Sequence, residues 1–378
     1  GTNALDDNTT ASNNTAVGRA ALSANTTASD NTAIGYQALE ANTTGTRNTA
    51  MGSVALDANT TGDDNTAYGY AALGVNTTGI NNTAIGVDAL DANTTASNNT
   101  AVGYKSLTAN TTGTNNVALG RTALSTASTG SANTAIGKDA LASLTTSDNN
   151  TALGKSAGTN VTTGEQNTLL GQVSAGSLTS GDDNIAIGHD AADNLTTGQQ
   201  NIAIGVDTSL SAADGANQIV MGQNVTCVGN SNFTFGDGTT DSNIAFGATS
   251  ITAPSDVRLK EDIQDEEVGL DFVNDLRPVT FLWKKEKDIP SDMKAYKEDS
   301  EARTMNGKYN HGFIAQEVKE VIDNHNLKEG FDMWSEDEAD GRQRIAPSAM
   351  MSIMVKAVQE LSTQVDELKA EIQTLKED

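Results

Sequence analysis

Asn14-Thr15-Ala16-Val17-Gly18 returns as Asn31-Thr32-Ala33-Ile34-Gly35, and again from Asn48, Asn65, Asn82 and Asn99. The phase continues without insertion through Asn116, Asn133, Asn150, Asn167, Asn184 and Asn201. Glycine keeps its place at 18, 35, 52, 69, 86, 103, 120, 137, 154, 171, 188, 205 and 222, a period of 17 residues. Such a period marks one supersecondary unit copied along the chain. In each unit an alanine and an aliphatic residue precede the glycine, Ala-Leu follows three residues on, and an Asn-Thr-Thr turn closes. This predicts two short strands per unit separated by Gly, Asn and Asp turns. A helix would be broken at every glycine and every Asn-Thr-Thr. Residues 1–217 therefore read as a mainly β shaft, each unit one rung of a β-solenoid or β-roll. Twelve rungs at about 4.8 Å make a rod about 60 Å long.

The apolar content of a rung is small: alanine, one aliphatic residue and one leucine. A single chain buries little with that set, so several copies are expected to pack about a common axis as an oligomeric shaft. Leucine holds the ninth repeat position at 22, 39, 56, 73, 90, 107, 124 and 141, then gives way to Gly158, Ala175, Ala192 and Ser209. The twelfth position changes in the opposite sense, from Asn25, Asn42, Asn59, Asn76, Asn93 and Asn110 to Leu144, Val161, Leu178 and Leu195. An apolar column is thus expected to shift across the rung, and the early asparagines to form an amide ladder. The Asn-Thr-Thr triplets match the glycosylation acceptor pattern by composition alone. The acidic turns Gly62-Asp63-Asp64 and Gly181-Asp182-Asp183 lack a full calcium ligand set and read as solvated. No metal and no cofactor is expected.

The chain has 378 residues, a net charge of −26 and a pI near 4.3. Residues 1–254 carry 6 Lys+Arg and 20 Asp+Glu; residues 255–378 carry 17 and 29. Neither half offers the basic patches that displace counterions from a phosphate backbone, so nucleic acid is excluded as a partner, and anionic membrane surfaces are disfavoured. No apolar run approaches the roughly 20 residues of a membrane span, so membrane insertion is not expected. No signal peptide opens the chain, and because Gly1 is not Met this says little about export. Cys227, the one cysteine, reads as a small buried side chain.

After Gln218-Ile219-Val220-Met221-Gly222 the period dissolves. Phe233, Phe235 and Phe246 enter among glycines, and residues 218–254 read as a β-rich neck that caps the solenoid. Then comes Ser255-Asp256-Val257-Arg258-Leu259-Lys260, where the composition becomes that of an ordinary folded domain. Ser255 is placed to cap a helix with Lys260 solvated on its first turns. It is also a nucleophile five residues from a base, and spacing alone favours the plain cap. At the far end Met351, Met354, Val358, Leu361, Val365, Leu368, Ile372 and Leu375 alternate at three and four, a coiled-coil seam. Its β-branched residues at a and leucines at d lean by themselves to a parallel dimer. Trp283 and Trp334 read as core.

The hexapeptide 255–260 is similar to the Ser-Asp-x-Arg-x-Lys signature of the endosialidase-type intramolecular chaperones, C-terminal modules of phage tail spikes and fibres. His311-Gly312-Phe313-Ile314-Ala315-Gln316-Glu317-Val318 resembles that family's Gly-Phe-x-Ala-Gln-Glu segment, and a third likeness runs from Ala346-Pro347 to Leu361. The shaft resembles the glycine-punctuated rungs of phage tail fibres and of trimeric autotransporter adhesin heads. The resemblance implies a module, residues 255–345 and a terminal coiled-coil helix 346–378, that trimerises the fibre and then cuts itself off before the serine. The scissile bond is then Pro254–Ser255, with Ser255 the nucleophile, Lys260 the base, and Asp256, Arg258 and His311 in support. Gln316 and Glu317 are structural.

A neutral Lys260 needs desolvation, which burial between subunits would supply, so that cutting waits for assembly. The implied protein is a homotrimeric virion tail fibre assembled in the host cytoplasm. Its implied partners are tail or baseplate proteins and a host glycan or protein receptor. The alternative is a bacterial surface adhesin or contractile-injection fibre with the same chaperone. A polysaccharide depolymerase is disfavoured, since the shaft offers no cleft aromatics and no carboxylate pair at matching phase.

Overall fold

The computed structural model describes residues 1–248, 250–252, 255–291, 293, 295–327, 333–336 and 341–377. The chain divides into two compact units, 1–255 and 256–378.

In the first unit, strands β1 to β12 run from Thr15–Val17 to Ile202–Ile204, three residues each and 17 residues apart. They pair in parallel with identical positions in register: Thr15 opposite Thr32, Ala16 opposite Ala33, Val17 opposite Ile34. β13 (Gln218–Gly222) continues the stack. β14 (Asn232–Gly236) adds in parallel, and β15 (Ser242–Ala245) turns back antiparallel and ends the sheet. The mainly β solenoid is thus as the period predicts, with one difference. Each rung holds one strand, not two; the rest of its circuit is turn.

Three residues per rung in the left-handed region make those turns, for example Ala20, Leu22 and Asp30 at φ of 57, 52 and 65°. Their backbone N–H groups still reach a neighbouring rung: Leu22 N donates to Ala38 O of the next rung at 3.1 Å, and Ala20 N to Thr2 O of the preceding one at 2.9 Å. The turns therefore stack as the strands do, and this offsets the roughly 1–2 kcal/mol that each non-glycine left-handed residue costs.

The in-phase glycines follow from the same stacking. Gly120 has φ 139°, and a Cβ there would lie 2.5 Å from Gly137 O on the next rung. No other residue fits a positive φ at that approach.

A single chain buries its own core, which corrects the expectation that burial needs several copies. Alanines of the strands, such as Ala33, Ala50 and Ala67, and the leucines 22 to 141 are fully buried. Two asparagine columns fill the space that apolar residues leave. In the first, Asn42 Nδ2 donates to Asn25 Oδ1 at 3.1 Å, Asn59 to Asn42 at 2.9 Å, and Asn76 to Asn59 at 3.0 Å. In the second, each repeat-leading asparagine accepts the next one's backbone N–H (Asn48 N to Asn31 Oδ1, 2.9 Å). It donates in turn to a turn carbonyl (Asn31 Nδ2 to Gly45 O, 2.9 Å). Counted as polar, these residues look unable to enter a core. Stacked, they satisfy each other, and burial costs little.

The apolar column does move across the rung: Leu144, Val161, Leu178 and Leu195 are buried where asparagine stood earlier. At Gly158 the missing leucine is replaced by Leu169, whose Cδ1 lies 2.5 Å from where a Cβ would sit. Cys227 is a buried member of the same core.

In the second unit, α1 (Leu270–Asp275), α2 (Ala315–Asn324) and α3 (Met350–Glu377) accompany two hairpins. The first pairs β16 (Val279–Phe281) with β17 (Asn310–Gly312), the second β18 (Trp334–Glu336) with β19 (Gln343–Ile345). The core is Phe272, Leu276, Val318, Ile322, Met333 and Ile353. Trp334 packs against it, whereas Trp283 is half-buried and meets Phe281 edge-on at 5.4 Å.

The amide ladder gives a differential prediction. Asn59→Leu breaks bonds to the rungs on both sides and should lower shaft stability by about 1–3 kcal/mol. Asn110→Leu should cost clearly less, because Asn110 ends the ladder and its Oδ1 is buried without a partner among the described residues. Denaturant unfolding of the two variants measures the difference.

Candidate functional site

Residues 256–260 form a single 3-10 turn, Val257–Leu259, rather than a longer helix. The cap is Asp256, not Ser255. Its Oδ1 accepts from Arg258 N at 2.9 Å, and Arg258 Nε returns to the same carboxylate at 3.0 Å. The guanidinium beside it holds the Asp256 carboxyl below the usual range. Asp256 outcompetes the serine because its charged acceptor caps the turn and binds the arginine at once. Lys260 closes the turn with its backbone N–H on Val257 O, and its side chain is exposed, as is Ser255. Pro254 lies outside the described residues.

Residues 261–267 run on exposed and without regular structure to α1. There Leu270 N donates to Glu360 Oε2 of α3 at 2.7 Å, and α1 packs on α3. The terminal helix thus anchors the chain ten residues after Lys260. Sequence reasoning missed Glu360, because nothing local ties a glutamate on a heptad helix to a distant amide.

His311 is exposed on β17, opposite Thr280, in a shallow groove with Pro278, Val279 and Phe313. No described residue of 255–260 lines that groove, so His311 and the hexapeptide are not brought together there. Gln316 and Glu317 stand on the first turn of α2, and Glu317 pairs with Arg277 at the start of the β16 segment.

Among the described residues of the shaft, His189, Asp190 and Asp207 are close enough to share a cation. The signal for it was present in the sequence, since Asp190 and Asp207 occupy one repeat phase. In this structure His189 Nδ1 lies 3.0 Å from Asp190 Oδ2 on the exposed surface.

Residues 255–327 match the family model described as chaperone of endosialidase. The match begins at Ser255 and includes the hexapeptide and the 311–318 stretch, while the third stretch, 346–361, lies beyond it. No curated protein and no solved structure matches the chain. A 17-residue solenoid followed by this segment fits a tail fibre with a C-terminal chaperone, and supports a role in trimer assembly of the phage tail-fibre kind. Among the described residues no helix is long and apolar enough to cross a membrane.

The matched segment is folded around Phe272, 1% exposed. Phe272→Ala should destabilise the second unit by about 3–5 kcal/mol. In denaturant unfolding of the full chain, the module's transition should move to lower denaturant while that of the repeats stays in place.

Proposed function

We propose that the chain is a homotrimeric tail-fibre protein of host attachment, assembled by its C-terminal module, which then releases itself at Pro254–Ser255. The observation that carries this is the start of the family match at Ser255, the residue that would become the new N-terminus. The exposed α3 seam supports assembly. Met351, Val358, Leu368 and Leu375 are each more than half exposed in the single chain, whereas Ile353 and Ala357 on the same helix are buried in the module core. A 28-residue helix with one face in its own domain and a heptad face in water is suited to parallel copies of itself.

In this reading Ser255 Oγ attacks the Pro254 carbonyl carbon while Lys260 Nζ takes the hydroxyl proton. The C–N bond breaks as that proton passes to the Ser255 nitrogen, leaving an ester between Pro254 and Ser255 Oγ. Water hydrolyses the ester, giving a shaft that ends in a carboxylate and a module that begins with a free amine. A lysine is a base only when neutral, and desolvation favours the neutral form. Lys260 is exposed in the single chain, so the drying is assigned to neighbouring subunits, and the cut follows assembly. Asp256 and Arg258 hold the turn that carries Lys260. The released trimer then works with other tail or baseplate proteins and a host surface receptor.

Intact-mass spectrometry of fresh full-length protein beside Ser255→Ala and Lys260→Ala tests the chemistry. Two fragments meeting at Pro254–Ser255 are expected in the parent chain alone. One full-length mass from an assembled parent chain would contradict the proposal.

A further inference from the structure

Strand residues of the shaft alternate, with the middle residue buried and its neighbours outward. The outward fourth repeat position is apolar on all thirteen rungs, from Val17 to Met221. It is exposed on seven rungs, for example Val17 56%, Tyr68 54%, Leu119 44% and Leu153 45%, and half-buried on the other six. The outward second position is threonine on most rungs and Val117, Ile185, Ile202 or Ile219 on the others. No charge occurs at either position, although the first 254 residues hold 26 charged side chains. A charged rod thus carries one uncharged strip, largely aliphatic at the fourth position and mostly threonine at the second, along thirteen strands of its sheet.

We infer that this sheet face is the subunit interface of the shaft, and that its occupant is the same face of parallel copies of this chain. The inference rests on the trimer reading above and supplies the surface that reading lacks for the repeats. The face measures about 60 Å by about 10 Å, from thirteen rungs of three strand residues. That is on the order of 600 Å² per copy, shared between two neighbours. The strip therefore supplies the apolar centre of the contact, and the residues at its edges add to it to approach the roughly 800 Å² per partner of a standard interface. A partner that covers it must share its length and its 17-residue rise, and a second copy does.

Charge supports the same arrangement. At the sixth position, just past the strand glycine, stand Arg121, Lys138 and Lys155; at the sixteenth, just before the next strand, stand Asp148, Glu165 and Asp182. One edge of the face is basic and the other acidic over neighbouring rungs. Cyclic association sets one edge of each copy against the opposite edge of the next, which here pairs unlike charges. Arg121 and Lys138 already have Asp139 within 4 Å in their own chain, but Lys155 has no ion-pair partner among the described residues. Asp148 and Asp182 each commit one oxygen to a backbone N–H of the preceding rung, Ser131 and Glu165, leaving the second for a neighbour.

Cysteine cross-linking of the full chain in a Cys227→Ala background tests this, with the mass of the assembly measured first by light scattering. Ile136→Cys on the face should give disulfide-linked pairs under mild oxidation, and exposed Thr112→Cys should not. Lys155→Cys with Asp148→Cys should close into covalent trimers, and these surface sites leave the core untouched. A trimer that links at neither the face nor the edge pair overturns this interface while leaving the fibre reading in place. A monomer overturns both.

Discussion

The in-register stacking of identical residues one rung apart carries the shaft. It sets a spacing near 4.8 Å at every position around the circuit, turns included. Each residue type then follows from what can stand on a copy of itself at that distance. Glycine is required where backbone meets backbone, as at Gly120 above Gly137. Asparagine is admitted to the interior because a stacked amide donates to the one below. Aspartate on the turns is tied to the preceding rung's N–H, as Asp63 is to Thr46 at 2.6 Å. Leucine accepts a left-handed backbone because that places it in the continuous core. A structure so built is repetitive in its energetics too, since each rung is stabilised by its two neighbours and needs an end that stops the stack. The antiparallel β15 supplies such an end.

The same logic separates the two parts of the chain. A rod of short, closely similar rungs offers its copies many nearly equivalent registers, told apart only by local differences such as the charges at Arg121 to Lys155 and Asp148 to Asp182. A folded module with a heptad helix offers a unique alignment. In the proposed reading, such a module placed after the repeats would set the register once, and release at Ser255 would leave the rod without the scaffold that set it.

The fold was legible where a residue's role repeats. The glycine phase, the asparagine ladder and the shift from Leu141 to Leu144 all show as columns, and the structure bears them out. What escaped were features that propensity does not encode. Ala20 and Leu22 are ordinary residues in left-handed turns, so the second strand expected per rung is absent. The apolar set of a rung looks too small for one chain to close a core, because the stacked asparagines that complete that core are polar when taken singly. At the hinge, the serine drew attention as a cap, and the charged Asp256 with Arg258 two residues on took the place. The terminal helix was legible as a seam through Leu361 and Leu368. Its docking through Ile353, Ala357 and Glu360 was not, since those contacts lie with α1, about ninety residues earlier in the chain.

The central claim is that cutting waits for assembly, because only neighbouring subunits dry the surroundings of Lys260. The direct measurement is refolding of the denatured full chain over a wide range of concentrations. Loss of the full-length band and the appearance of trimer would be followed together. The account predicts that cutting slows on dilution in step with trimer formation and is absent from monomer. Cutting at one rate throughout, with cut chains in the monomer fraction, would contradict it.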